Sequence, residues 1–132
     1  MASGIMAHSW SNVLNLNDPE LYSGRIESYS SGDQQLTLKF FSQLDEFNAS
    51  FVVQFSAVHY IDLPISWKGA AIDSASEERC WDLLTQVLGP AVARPDALIK
   101  NELLGEYRLF TIHVRQVDYR ILASKTITLA AP

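Results

Sequence analysis

The side-chain chemistry available to this 132-residue chain rests on three histidines, one cysteine and a polar and aromatic cluster near position 60. His8, His59 and His113 could serve an acid/base pair or a metal only if two of them met across a sheet. No His-x-His or Glu-x-x-His spacing occurs and no second cysteine is available, so the sequence implies no metal site and no cofactor. Cys80 falls about a turn and a half beyond the cap of its helix, away from the N-terminal position and the adjacent base that a thiol nucleophile needs. It reads as a small apolar core residue. Gly-x-Ser-x-Gly, the phosphate-binding loop and the dinucleotide fingerprint are all absent, so no catalytic constellation is found. His59, Tyr60 and Asp62 are the exception, because they bring a base, an aromatic and an acid together at a strand end. They stand just before a Pro64–Gly69 excursion that carries Trp67, and strand-end loops carry function more often than strand middles. With Trp81 they are the candidate ligand-binding residues: His59, Tyr60, Asp62, Trp67 and Trp81, in a pocket between sheet and helix.

The element expected to position them is Phe51–Ile61, a β-branched and aromatic run without Gly or Pro. It reads as one central strand, with Phe51, Val53, Phe55, Ala57, His59 and Ile61 on one face. Arg25–Tyr29 and Gln34–Phe41 form a hairpin, with Leu36, Leu38 and Phe40 inward. Asn17-Asp18-Pro19 starts a helical turn that Gly24 is expected to stop. Ser42–Phe47 is a polar connection and Ile65–Gly69 an irregular excursion. Ser74–Leu88 is the one strong helix, with Ser74 and Glu77 as a capping box and Gly89-Pro90 as the stop. Its Cys80, Leu84, Val87 and Leu88 stripe, widened by Trp81, faces the sheet; burying Trp81 and Leu84 contributes roughly 1.5–3 kcal/mol each. Asp96–Leu104 is a short helix or ordered loop. Glu106–Val114 and Tyr119–Leu129 form a second hairpin. The fold class is therefore α+β and mainly β. One antiparallel curved sheet or partly open barrel of about five to seven strands is expected, with the amphipathic helix packed on it. Residues 1–132 form a single domain, of which 1–11 is a flexible N-terminal segment.

A net charge of −5 argues against a general nucleic-acid or anionic-membrane binder. From Tyr107 onwards, however, Arg108, Arg115, Arg120 and Lys125 stand against Asp118 alone, a local +3 that leaves −8 on the remainder. These four are the candidate partner-binding residues, for an acidic protein or, as the weakest alternative, a nucleic acid. No run of apolar residues is long enough to span a membrane. The N-terminus lacks a signal-peptide pattern, and a lone cysteine points to a reducing, cytoplasmic compartment.

Leu21–Tyr29, Gln34–Phe41, the Phe-x-Ala-Val-x-Tyr-Ile segment at 55–61, and Tyr107–Ile112 with Tyr119–Ile127 resemble small uncharacterised bacterial domains. Some of these domains are similar to the immunity proteins of contact-dependent toxin systems. The resemblance implies a non-enzymatic binding role and transfers no functional residue. The sequence thus favours a non-catalytic cytoplasmic interaction domain that binds a protein partner or itself. The alternative is a small-molecule-binding or hydrolytic domain with its pocket near His59, Asp62 and Trp67.

Overall fold

The computed structural model describes residues 13–89 and 97–131, so His8, Trp10 and the 1–11 segment lie outside the described residues. A single turn of 3-10 helix, Pro19–Leu21, follows Asp18 as expected. The chain then forms β1 (Tyr22–Ser30), β2 (Gln35–Ser42), β3 (Phe51–Phe55), β4 (Tyr60–Ile61), β5 (Ser66–Lys68) and β6 (Ile72–Ser74). Next come α1 (Glu77–Leu88), α2 (Ala97–Glu106), β7 (Tyr107–Val114), β8 (Val117–Ser124) and β9 (Ile127–Ala130). The class is α+β and mainly β, with every strand pair antiparallel. The strands lie in two sheets rather than one, ordered β5-β1-β2-β3-β9 and β4-β8-β7-β6, and they do not close into a barrel.

The sheets meet face to face. Leu36, Leu38 and Phe40 of β2, with Val53 and Phe55 of β3, pack on Phe110, Ile112, Ile121 and Ala123 from β7 and β8. Phe55 and Phe110 meet edge to face across this interface at 5.3 Å. On the other side of the smaller sheet, Leu109 and Leu122 take the helices through Cys80, Leu83, Leu84 and Leu104. The order of layers is five-stranded sheet, core, four-stranded sheet, helices.

The largest departure from expectation is the run 51–61. It is not one ribbon beneath the Trp81 helix. β3 is interior, paired with β2 and β9, but the chain breaks at Ala57, whose φ is 49°, and re-enters the other sheet as β4. A left-handed residue reverses the alternation, so Val58 is buried after Val53 and Phe55. Helix α1 packs on β7 and β8 instead. The second arm expected at 119–129 also divides, since β8 stays in the smaller sheet and β9 crosses to β3. Ser74 lies buried in β6, and the helix cap is Ser76, whose Oγ accepts from the Arg79 N–H at 3.3 Å. Gly89, at φ 87°, ends α1.

The 65–69 excursion contains the edge strand β5, and the helical turn ends at Leu21, before Gly24, which sits opposite Trp67 within β1. A Cβ on Gly24 would lie 2.6 Å from two ring carbons of Trp67 and 2.7 Å from Phe40, so only glycine lets the indole lie over β1. Gly24→Ala is therefore expected to destabilise the protein by about 1–3 kcal/mol in urea unfolding, through overpacking. An unchanged midpoint would show that Trp67 yields freely.

Candidate functional site

The polar cluster foreseen near position 60 exists, but its acid has a partner from the far end of the sequence. Asp62 follows β4, and β4 pairs with β8, which brings Arg120 alongside. Asp62 Oδ1 accepts the Arg120 backbone N–H. Its Oδ2 accepts from the Tyr60 hydroxyl at 3.1 Å, from Arg120 Nε at 3.1 Å, and is ion-paired with Nη2 at 3.1 Å. Arg120 Nη2 also donates to the Tyr60 hydroxyl at 2.9 Å, and the guanidinium lies 5.1 Å from the centre of that ring. Burial would draw the Arg120 proton affinity down, yet the hydrogen bond and charge of Asp62 outweigh it and hold the group above its ordinary value. With Tyr60 and two guanidinium nitrogens on Oδ2 and a backbone N–H on Oδ1, most of the carboxylate's acceptor sites are already engaged. The cluster ties β4 to β8.

His59 is close in sequence but differently engaged, sharing a 3.1 Å hydrogen bond with the Tyr107 hydroxyl and stacking edge to face on that ring. Trp81 is half-buried on α1 beneath the Lys100 ammonium at 5.5 Å. Trp67 belongs to the other sheet and packs on Phe40 at 6.0 Å. The five candidates therefore do not line one pocket. The cavity beside Arg120 is about 150 Å³ and lined by Arg79, Asp82 and Gln86 of α1. That is small against the ~300 Å³ at which small-molecule sites begin.

A scan of protein-family models, a search of curated proteins and a search of solved structures find no match to this chain. The side chains themselves must carry the functional reading.

The four basic candidates do not gather either. Arg108 is buried and donates to the carbonyls of Leu104 and Tyr107, capping the end of α2. Arg120 is held by Asp62. Arg115 and Lys125 are exposed, but they follow opposite ends of the β7–β8 ladder. Seven residue steps separate those ends, roughly 24 Å of strand. Among the described residues no three His, Cys, Asp or Glu side chains gather to hold a metal. Cys80 is buried, and desolvation pushes its thiol up to about 11, which keeps it protonated at neutral pH.

Two features went unread in the sequence. The connection after β2, expected to be merely polar over Ser42–Phe47, presents Leu44 at 97% exposure and Phe47 at 94%. It is held in shape by Asp45, whose carboxylate accepts the Phe47 and Asn48 backbone N–H groups, each at 3.1 Å, and the Asn48 side chain at 3.2 Å. Ser42 and Ser50 close its base at 3.2 Å. The available signal was two large apolar residues inside a polar turn that carries Asp45 and Asn48. The second feature is a groove of about 590 Å³ beside Trp67.

If the Tyr60–Asp62–Arg120 cluster is structural, removing its acid is the more damaging change. Asp62→Ala is expected to cost about 1–3 kcal/mol, because it leaves a part-buried hydroxyl and guanidinium without their acceptor. Arg120→Ala, which keeps the backbone bond and the Tyr60 bond to Asp62, is expected to cost under about 1 kcal/mol. Chemical unfolding of both variants checks the order.

Proposed function

We propose that this is a non-catalytic interaction domain that docks a protein partner through the 42–50 loop. The observation carrying this reading is that Leu44 and Phe47 stand almost wholly in water on a loop closed by hydrogen bonds. A hydrophobic side chain so exposed gains nothing from folding, while the surrounding turn removes the freedom it would lose on binding. Beside the loop, Leu16, Leu21, Tyr22 and Leu44 border a cleft of about 510 Å³, so the apolar surface extends past the two projecting residues. Asp18 in the cleft wall and Asp45 and Glu46 in the loop are acidic, while Arg25 and Lys68 stand with Glu46 on the loop's other flank. The partner this suits is a protein presenting apolar side chains to Leu44 and Phe47, with basic groups on the side facing Asp18. A cytoplasmic bacterial domain of the immunity type, acting by docking rather than by chemistry, agrees with that surface. The hydrolytic alternative is the less supported, since Asp62 is engaged on both oxygens.

Leu44→Ser with Phe47→Ser tests the docking surface, because neither side chain supports the core. The double variant is expected to unfold at the wild-type midpoint and to lose binding by roughly tenfold or more per residue. Wild-type and variant proteins used as parallel baits, with light scattering on each for self-association, give the comparison. A wild type that neither self-associates nor retains any protein the variant fails to retain would count against the reading.

Acid should disorder the loop by a defined route. The bonds from the Asn48 side chain, then the Asn48 and Phe47 backbone, hold the Asp45 carboxyl below its ordinary value. A depressed folded value means the stabilisation is complete above the unfolded carboxyl value and is lost as pH falls through the folded one. An NMR titration of the Phe47 and Asn48 amides should therefore show both moving together only at strongly acidic pH. In Asn48→Ala the transition should shift upward. Amides that move at or above the ordinary carboxylate range would contradict the role given to Asp45.

A further inference from the structure

The groove beside Trp67 lies between the edge strand β5 and the tip of the β7–β8 hairpin, and its volume of about 590 Å³ is that of a small-molecule site. Its apolar wall comes from Trp67, Val117 and Tyr119, with Val117 about half exposed. Lys68 and Arg115 also line it, and the side chain of neither forms an ion pair or hydrogen bond with the described residues. His113, at the same rim, is answered by Asp118, which leaves Glu20 as the one lining acid. In a chain of net charge −5 the groove thus carries more unpaired cation than anion.

Two further observations set it apart. Trp67 is 7% exposed, yet its indole N–H has no acceptor among the described residues, an uncommon deficit for a buried donor. Arg115 and Gln116, the two residues joining β7 to β8, have φ of 57° and 96°. A two-residue hairpin turn of this kind is normally built from Asn-Gly, which adopts these angles without strain. This chain places an arginine there, at the groove wall.

We propose that this groove binds a small amphipathic anion, a molecule with an apolar body and one acidic group. The apolar body lies against Trp67, Val117 and Tyr119. The acidic group, carboxylate or sulfonate or phosphate, is held between Lys68 and Arg115. The site does not rest on the docking role of the 42–50 loop, since none of Leu44, Asp45 and Phe47 lines it.

The test is an NMR titration of the full chain with naphthylacetate, with uncharged naphthylethanol in parallel. Saturable binding is expected, with shifts at the Trp67 indole N–H and across residues 114–119, and about tenfold or greater preference for the acid. Lys68→Glu should weaken naphthylacetate about tenfold or more while leaving naphthylethanol unchanged. Arg115→Gly separates binding from folding, because glycine relieves the left-handed backbone. It should hold or raise the thermal midpoint and still lose affinity for the acid. The proposal is overturned by failure to saturate in the low millimolar range or by equal affinity for the two probes. It is likewise overturned by indifference to both substitutions, or by shifts centred on Leu44 and Phe47.

Discussion

The fold depends on the place where the chain changes sheets. Crossing from one sheet to another strands backbone donors that neither ladder can satisfy, and buried unpaired donors are rarely tolerated. Here the two crossings are set side by side so that each supplies the other. The Ser124 N–H donates to Ser56 O at 2.9 Å and the His59 N–H to Leu122 O at 2.8 Å, while Val58 donates to Gln34 at 2.9 Å. The left-handed turn at Ala57 is what allows Val53 and Phe55 to face the core from one sheet and Val58 to reach it before the other. Without that inversion, Val58 would fall on the face opposite the one Val53 and Phe55 bury.

Those crossings also mark the boundary of what the sequence could disclose. The 36-38-40 alternation, the α1 stripe and the Ser30–Asp33 turn are local patterns, each with its own period or punctuation, and each reappears in the structure. The sheet switches have no such punctuation. Ala57 carries no side chain that favours a positive φ, and Lys125-Thr126 interrupts an apolar parity without Gly or Pro. Strand β5 is too short for alternation to be seen, and what fixes it is a long-range fit between Trp67 and the missing side chain of Gly24. The 59–62 cluster was visible because its members are neighbours in the chain. Its meaning was not, because the group that decides it, Arg120, stands 58 residues away.

Charge shows the same division between position and use. Arg108 and Arg120 count equally with Arg115 in a tally of basic residues, but the structure engages the first two in capping α2 and holding Asp62. A folded protein gains stability from polar groups that find partners, and desolvation penalises those that do not. The groups that folding leaves unengaged are therefore the ones available to a ligand. Among the described residues they include two apolar side chains on a fixed loop and two cations at one groove.

Both surfaces lean on the same side chain. Trp67 forms part of the groove wall, and on its other side it borders a cleft of about 440 Å³ with Gln43 and Glu46 of the exposed loop. Its ring can lie there only because Gly24 has no Cβ, and Phe40 fixes it edge to face from the core. Aromatic packing of this kind leaves little room for the ring to settle differently, since interiors are close-packed and yield to small displacements only at a cost. A change in the position of Trp67 would alter the groove and the footing of the loop together. The structure thus joins its two unengaged surfaces through one buried ring, seated over a glycine in a strand where glycine otherwise only weakens pairing.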